Sequence, residues 1–124
     1  MTNKILIISA LAEEMAPITQ YLGLSQLMQV GDIVEHDNYI FAVSSVGKVS
    51  AAMMLTKVLE KYDIKSIINI GLAGSLSPHL IFGDVVMVEH TVEHDGIIEG
   101  DDEAQNRLYP LFALTTVEHP ELKR

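Results

Sequence analysis

Cysteine is absent from this 124-residue chain, and so is tryptophan. Without a thiol there can be no disulfide, no thiolate zinc site and no cysteine nucleophile. Arginine is nearly absent: Arg107 and Arg124 are the only two. Acids outnumber lysine and arginine 17 to 8, for a formal net charge of −9. Nucleic-acid binding needs a cationic footprint, so no nucleic-acid partner is expected. The same shortage counts against a phosphate clamp, which favours arginine forks. No apolar run reaches the length of a membrane span, so no membrane partner is expected. The N-terminal MTNKILIISALAEEM is apolar only briefly before Glu13 and Glu14, which reads as a first strand rather than a signal peptide. A cytoplasmic protein is the expectation.

What is present is apolar: 48% of the residues are hydrophobic, enough for one globular core. Lys4 to Ser9, KILIIS, is a short continuous apolar run of the kind a buried parallel strand shows. Ala12 to Tyr21 reads as helix, with Pro17 arguing for a break or a late start. Gln29 to His36 and Tyr39 to Ser45 read as two strands joined by the turn-forming pair Asp37-Asn38. Gly47 to Tyr62 carries the strongest helical pattern. Val49, Ala52, Met53, Leu55, Thr56 and Leu59 form its expected apolar face, with Lys57, Glu60 and Lys61 outside it. Ser66 to Ile70 and Asp84 to Glu89 read as further strands, separated by a loop from Leu72 to Gly83. Strands alternating with helices predict an α/β fold, a mixed but mainly parallel sheet flanked by helices. After His90 the pattern weakens.

Four segments invite a chemical reading. INIGLAGSLS, Ile68 to Ser77, ends a strand in small residues, as where backbone lies close to a ligand or another chain segment. It is not GxGxxG, and no helix signal follows to hold a pyrophosphate. VGKVS, Val46 to Ser50, fails as a phosphate loop: Ala42 stands where the first glycine belongs, and Val49 where Ser or Thr must meet magnesium. Gly47 instead opens the helix. Glu13-Glu14 suits a helix N-terminus through the macrodipole, and equally suits a carboxylate placed at the mouth of the sheet to hold a water or a sugar hydroxyl. EHTVEHD, Glu89 to Asp95, reads as a solvated or interface segment, and no metal and no cofactor are expected.

ALAEEM (Ala10 to Met15), SSVGKVSAA (Ser44 to Ala52) and INIGLAGSLSPHLIFGDVV (Ile68 to Val86) occur in an order and spacing that resemble the nucleoside phosphorylase and nucleosidase superfamily. The bacterial 5′-methylthioadenosine/S-adenosylhomocysteine nucleosidases are the branch they resemble most. His94 to Gly96, HDG, resembles a further family segment, and the likeness covers residues 4 to 97. Residues 1–97 are therefore expected to form the N-terminal part of a nucleosidase-like α/β domain, a half-length version, with 98–124 a divergent tail.

The resemblance implies cleavage of the N-glycosidic bond of a small-molecule purine nucleoside. It assigns Glu14 to positioning the attacking water. It puts Leu11 on the sugar side, Val46 in the pocket lining, and Leu72, Ala73 and Gly74 against ribose and base. Hydrolysis through a ribosyl-cation-like state also needs an acid to protonate the purine. The family carries that acid in a Ser-Asp segment, and ribose contacts in a Met-Glu-Met-Glu segment, and neither occurs here. Little turnover is therefore expected of the 124 residues alone. A non-catalytic nucleoside-binding or assembly remnant is the alternative. A purine nucleoside phosphorylase, which the arginine shortage disfavours, or a futalosine hydrolase-like enzyme is a second one; Leu72 replaces the serine common in the nucleosidases, and the futalosine hydrolase-like branch more readily takes an aliphatic residue there. Uncovered sheet edges and an apolar helix face lead us to expect a homo-oligomer.

Overall fold

The structure is a computed structural model that describes residues 3–24 and 27–91. The described residues divide after Leu76 into two compact units.

In the first unit the elements run β1 (Lys4–Ser9), α1 (Ala12–Tyr21), β2 (Ile33–His36), β3 (Tyr39–Val43), α2 (Lys48–Lys61) and β4 (Ile64–Asn69). The four strands form one sheet in the order β2-β3-β1-β4. Strand β1 is central and runs parallel to both β3 and β4, while β2 joins antiparallel to β3. The mixed, mainly parallel α/β fold expected from the alternation of elements is the fold observed. His36 pairs with Tyr39, so Asp37 and Asn38 alone make the turn between β2 and β3. Asp37 takes the left-handed φ of 51° that such a turn requires. Lys4 secures this corner: its Nζ donates to the Asp37 carbonyl at 2.8 Å and lies 2.8 Å from Glu35 Oε1.

Alternation along the strands sorts side chains between the two faces of the sheet. Leu6, Ile8, Ile40 and Ala42 pack with Met54 and Val58 of α2. Phe41 and Val43, with Ile7 partly buried beside them, pack with Met15 of α1 and with Met28. Each helix therefore covers one face, and β1 is buried between them.

Three local expectations differ from what is observed. Helix α1 runs unbroken through Pro17, which forfeits only the hydrogen bond that its missing N–H would have made to the Glu13 carbonyl. Helix α2 turns a different stripe to the sheet. Met54 and Val58 are buried, with Leu55 and Tyr62 packed beside them, whereas Val49, Met53 and Leu59 are 74%, 58% and 49% exposed. Apolar residues line both stripes of α2, so helical period alone does not choose between them. The third difference is Asp84 to Glu89, which forms no strand. The run has no ladder partner among the described residues, and Val85, Val86 and Val88 are exposed.

In the second unit, residues 77–91 are mostly irregular, with turns at 78–79 and 82–83. Asp84 N–H donates to the Ile81 carbonyl at 3.1 Å, and Asp84 Oδ2 accepts from Ile81 N–H at 3.1 Å. Gly83 supplies the positive φ of 92° at the third position of this turn. The expected domain boundary near residue 97, His94, the HDG segment and the acidic loop from Glu99 lie outside the described residues.

Candidate active site at the strand ends

Parallel strands that end together place their following loops on one edge of the sheet, and that edge is where ligands bind in open α/β folds. Here the pairing continues past the strands. Ser44 N–H donates to the Ser9 carbonyl at 2.9 Å, Ser45 N–H to the Ala10 carbonyl at 2.9 Å, and Ile70 N–H to the Ile8 carbonyl at 2.9 Å. Three loops therefore leave the same edge: Ala10-Leu11, Ser44 to Gly47, and Gly71 to Gly74.

Glu14 joins two of these loops. It is the third residue of α1, whose N-cap is Leu11. Leucine has no acceptor with which to cap the helix, so the reciprocal half of a capping box is made alone: Glu14 Oε2 accepts from Leu11 N–H at 3.0 Å. The other oxygen reaches across to the loop after β4, where Oε1 accepts from Leu72 N–H at 3.1 Å. The carboxylate is thus held between two main-chain donors from distant parts of the sequence. Both oxygens retain lone pairs for a further donor such as a water or a hydroxyl. The two readings that the sequence left open for Glu14, helix N-terminus and mouth of the sheet, describe one and the same placement.

The support beneath this arrangement is Ser9. It is fully buried, and its Oγ donates to the Leu11 carbonyl at 2.9 Å, which fixes the turn from β1 into α1. On the neighbouring loop Ser44 Oγ donates to the Ser45 carbonyl at 2.8 Å. Ser45 itself takes φ 84°, a value that non-glycine residues rarely adopt. Gly47 follows as the N-cap of α2 at φ 103°, ψ 155°. It opens the helix, as its position after a strand led us to expect.

The other residues singled out from the sequence are on this edge and open to solvent. Leu11, Val46 and Leu72 are 39%, 68% and 88% exposed, and Ala73 and Gly74 are exposed beside them. A Cβ built on Gly74 would meet nothing within 4 Å, so no packing among the described residues demands glycine there. Glu14 and Leu72 are brought into contact. For Val46, Ala73 and Gly74 the placement is shared loops on one edge, not contact with Glu14. Among the described residues no group of three or more His, Asp and Glu gathers as metal ligands would. None of the helices in those residues is long and apolar enough to cross a membrane. Ser9 and Gly71 are members of the site that sequence reasoning passed over. Ser9 showed only as the polar end of an apolar run, and Gly71 as one small residue among several.

Known proteins resemble this chain over more than half of its length. A 5′-methylthioadenosine/S-adenosylhomocysteine nucleosidase of Chromohalobacter salexigens is 36% identical over 99 residues, 75% of this chain and 42% of its own. The nucleosidase of the same description from Baumannia cicadellinicola is 40% identical over 75 residues, 59% of this chain and 33% of its own. Among solved structures, a Helicobacter pylori MTAN mutant crystallised with 5′-methylthioadenosine in its active site superposes with a TM-score of 0.63 at 28% identity. That match covers 77% of this chain and 44% of the other. The chain thus spans less than half the length of these relatives. The profile of the Phosphorylase superfamily matches residues 4–120, and the chain belongs to that superfamily.

Proposed function

We propose that the chain supplies the water-holding side of a purine nucleoside N-glycosidase site, with a methylthioadenosine- or S-adenosylhomocysteine-like substrate. The observation that carries this reading is the Glu14 carboxylate, fixed by Leu11 N–H and Leu72 N–H at the ends of β1 and β4. A carboxylate held by two donors is already oriented, so little freedom is lost when it accepts a proton from a bound water. In the reaction the bond between the sugar C1′ and the purine nitrogen breaks, and its electron pair leaves with the base. Water oxygen bonds to C1′ as Glu14 takes the water proton. The departing purine needs a proton of its own. Family resemblance assigns that acid to a Ser-Asp segment, which the 124 residues do not contain. The polypeptide by itself is therefore expected to bind nucleoside and turn over slowly. Leu11, Val46 and Leu72 would offer apolar surface to the sugar and base, and Ala73 and Gly74 would allow close approach to the backbone. No cofactor takes part in this scheme.

A second reading, a nucleoside-binding module without catalysis, is favoured by that same missing acid. Two measurements on the purified chain separate the readings. Addition of methylthioadenosine should shift the amide resonances of Leu11 and Leu72, and adenine should appear slowly and disappear with Glu14→Gln. Binding without any adenine selects the module. Failure to bind at millimolar nucleoside refutes both.

A further inference from the structure

We propose that Gly71 is a positioning residue for the Glu14 carboxylate, its missing side chain leaving the space that the carboxylate takes. The inference deepens the reading of Glu14 given above, although the contact that it concerns exists whatever the substrate.

Glycine is ordinarily demanded for one of two reasons, a left-handed backbone or a close neighbour. The first does not apply, because Gly71 is not among the glycines with positive φ. The second applies in an unusually specific way. A Cβ added at Gly71 would lie 3.1 Å from Glu14 Oε1, 3.5 Å from its Cδ and 3.7 Å from its Oε2. These three atoms, all of one carboxylate, are the nearest that the Cβ would meet. The crowded oxygen is also the one that accepts from Leu72 N–H, the amide adjoining Gly71 in the chain. An added methyl therefore crowds the oxygen that the next residue holds and asks it to give way by a few tenths of an ångström.

The chemistry of the clash decides its outcome. A carboxylate at the end of a glutamate side chain moves more easily than the backbone on either side. Alanine at position 71 should leave the fold intact and push Oε1 off Leu72 N–H, while Oε2 stays on Leu11 N–H. The carboxylate would then pivot on the helix cap and lose its hold on the β4 loop. A group that must place a water against a sugar carbon tolerates such displacement poorly.

Two readouts that need no turnover test this. In the native chain, Glu14→Gln should shift the Leu11 and Leu72 amide resonances together, because the carboxylate accepts from both. In Gly71→Ala the Leu72 response should be lost and the Leu11 response kept. The second readout is a thermal double-mutant cycle. Where a backbone can accept alanine, replacing glycine stabilises through the unfolded state. Gly71→Ala should raise Tm in a Glu14→Ala background, where the carboxylate is gone, and fail to raise it when Glu14 is present. An unchanged Leu72 response to Glu14→Gln in the Gly71→Ala background, or the same Tm change in both backgrounds, overturns the proposal. Neither result depends on whether the chain cleaves or binds a nucleoside.

Discussion

Glu14 and Leu72 are 58 residues apart in the chain, and the carboxylate of one accepts the main-chain N–H of the other at 3.1 Å. The bond ties the first turn of α1 to the loop that follows β4, across the C-terminal ends of the parallel strands β1 and β4. It also makes one side chain answerable to two requirements, capping a helix and facing the open edge.

Replacement of Glu14 should therefore cost stability as well as any chemistry. Glutamine retains one acceptor oxygen for two N–H donors, and its amide group presents hydrogens to the other donor. The loss is expected to be about 1 kcal/mol, since these bonds are largely solvent-exposed. Urea denaturation of Glu14→Gln and Glu14→Ala would measure it. A stability equal to that of the parent in both variants would mean that the carboxylate bridge contributes nothing to the fold.

Ser45 and Gly47 should respond oppositely to substitution, because both have positive φ but only one is glycine. Ser45 sits at φ 84°. Ser45→Gly should relieve strain and stabilise by about 1 kcal/mol. Gly47, at φ 103° and ψ 155°, lies in a region open essentially to glycine. Gly47→Ala should cost about 1–3 kcal/mol. Thermal melts of the pair check both signs, and two changes in the same direction would contradict the backbone argument.

Helix α2 offers a test of which stripe faces the sheet. Met54 is 4% exposed in the core cluster, while its neighbour Met53 is 58% exposed. Met54→Ala should cost about 2–5 kcal/mol, and Met53→Ala should stay within about 0.5 kcal/mol. Similar losses at both positions would place the helix in a different rotation. The pair isolates packing from composition, since the residue type and the helix are the same.

The sequence was informative where a signal is local. KILIIS announced a buried strand because β1 is covered on both faces, so its apolar residues need not alternate with polar ones. Asp37-Asn38 marked the hairpin because few residue types tolerate the turn conformation. The rotation of α2 was not legible, because two stripes compete and the sheet decides. Nor was the Asp84 to Glu89 segment, where an apolar run has strand composition but no paired neighbour among the described residues. Pro17 overstated the break, since one missing hydrogen bond is tolerated when Met15 and Thr19 are buried on either side of it. For the site, Glu14 was legible as an acid after the first strand. That its second oxygen would find Leu72 N–H, and that Gly71 would have to make room for it, depends on β4 lying beside β1. Such a contact can be read only after the strands are ordered.

That ordering also bears on assembly. Strand β4 is at one end of the sheet and β2 at the other, and α2 leaves Val49, Met53 and Leu59 exposed at 74%, 58% and 49%. An apolar stripe of this kind is a cost in water that a second copy of the chain would remove. Self-association in the micromolar range and above is the expected behaviour, and light scattering against concentration would measure it. Met53→Glu places a charge in the middle of the stripe without touching the core, so it should shift the population toward smaller species while leaving the melting temperature of the monomer unchanged. A parent chain that is monomeric at every concentration and unfolds cooperatively would refute the expected homo-oligomer. Undiminished association of Met53→Glu would move the contact from α2 to the strand edges, where the exposed main chain of β4 could pair with a second copy.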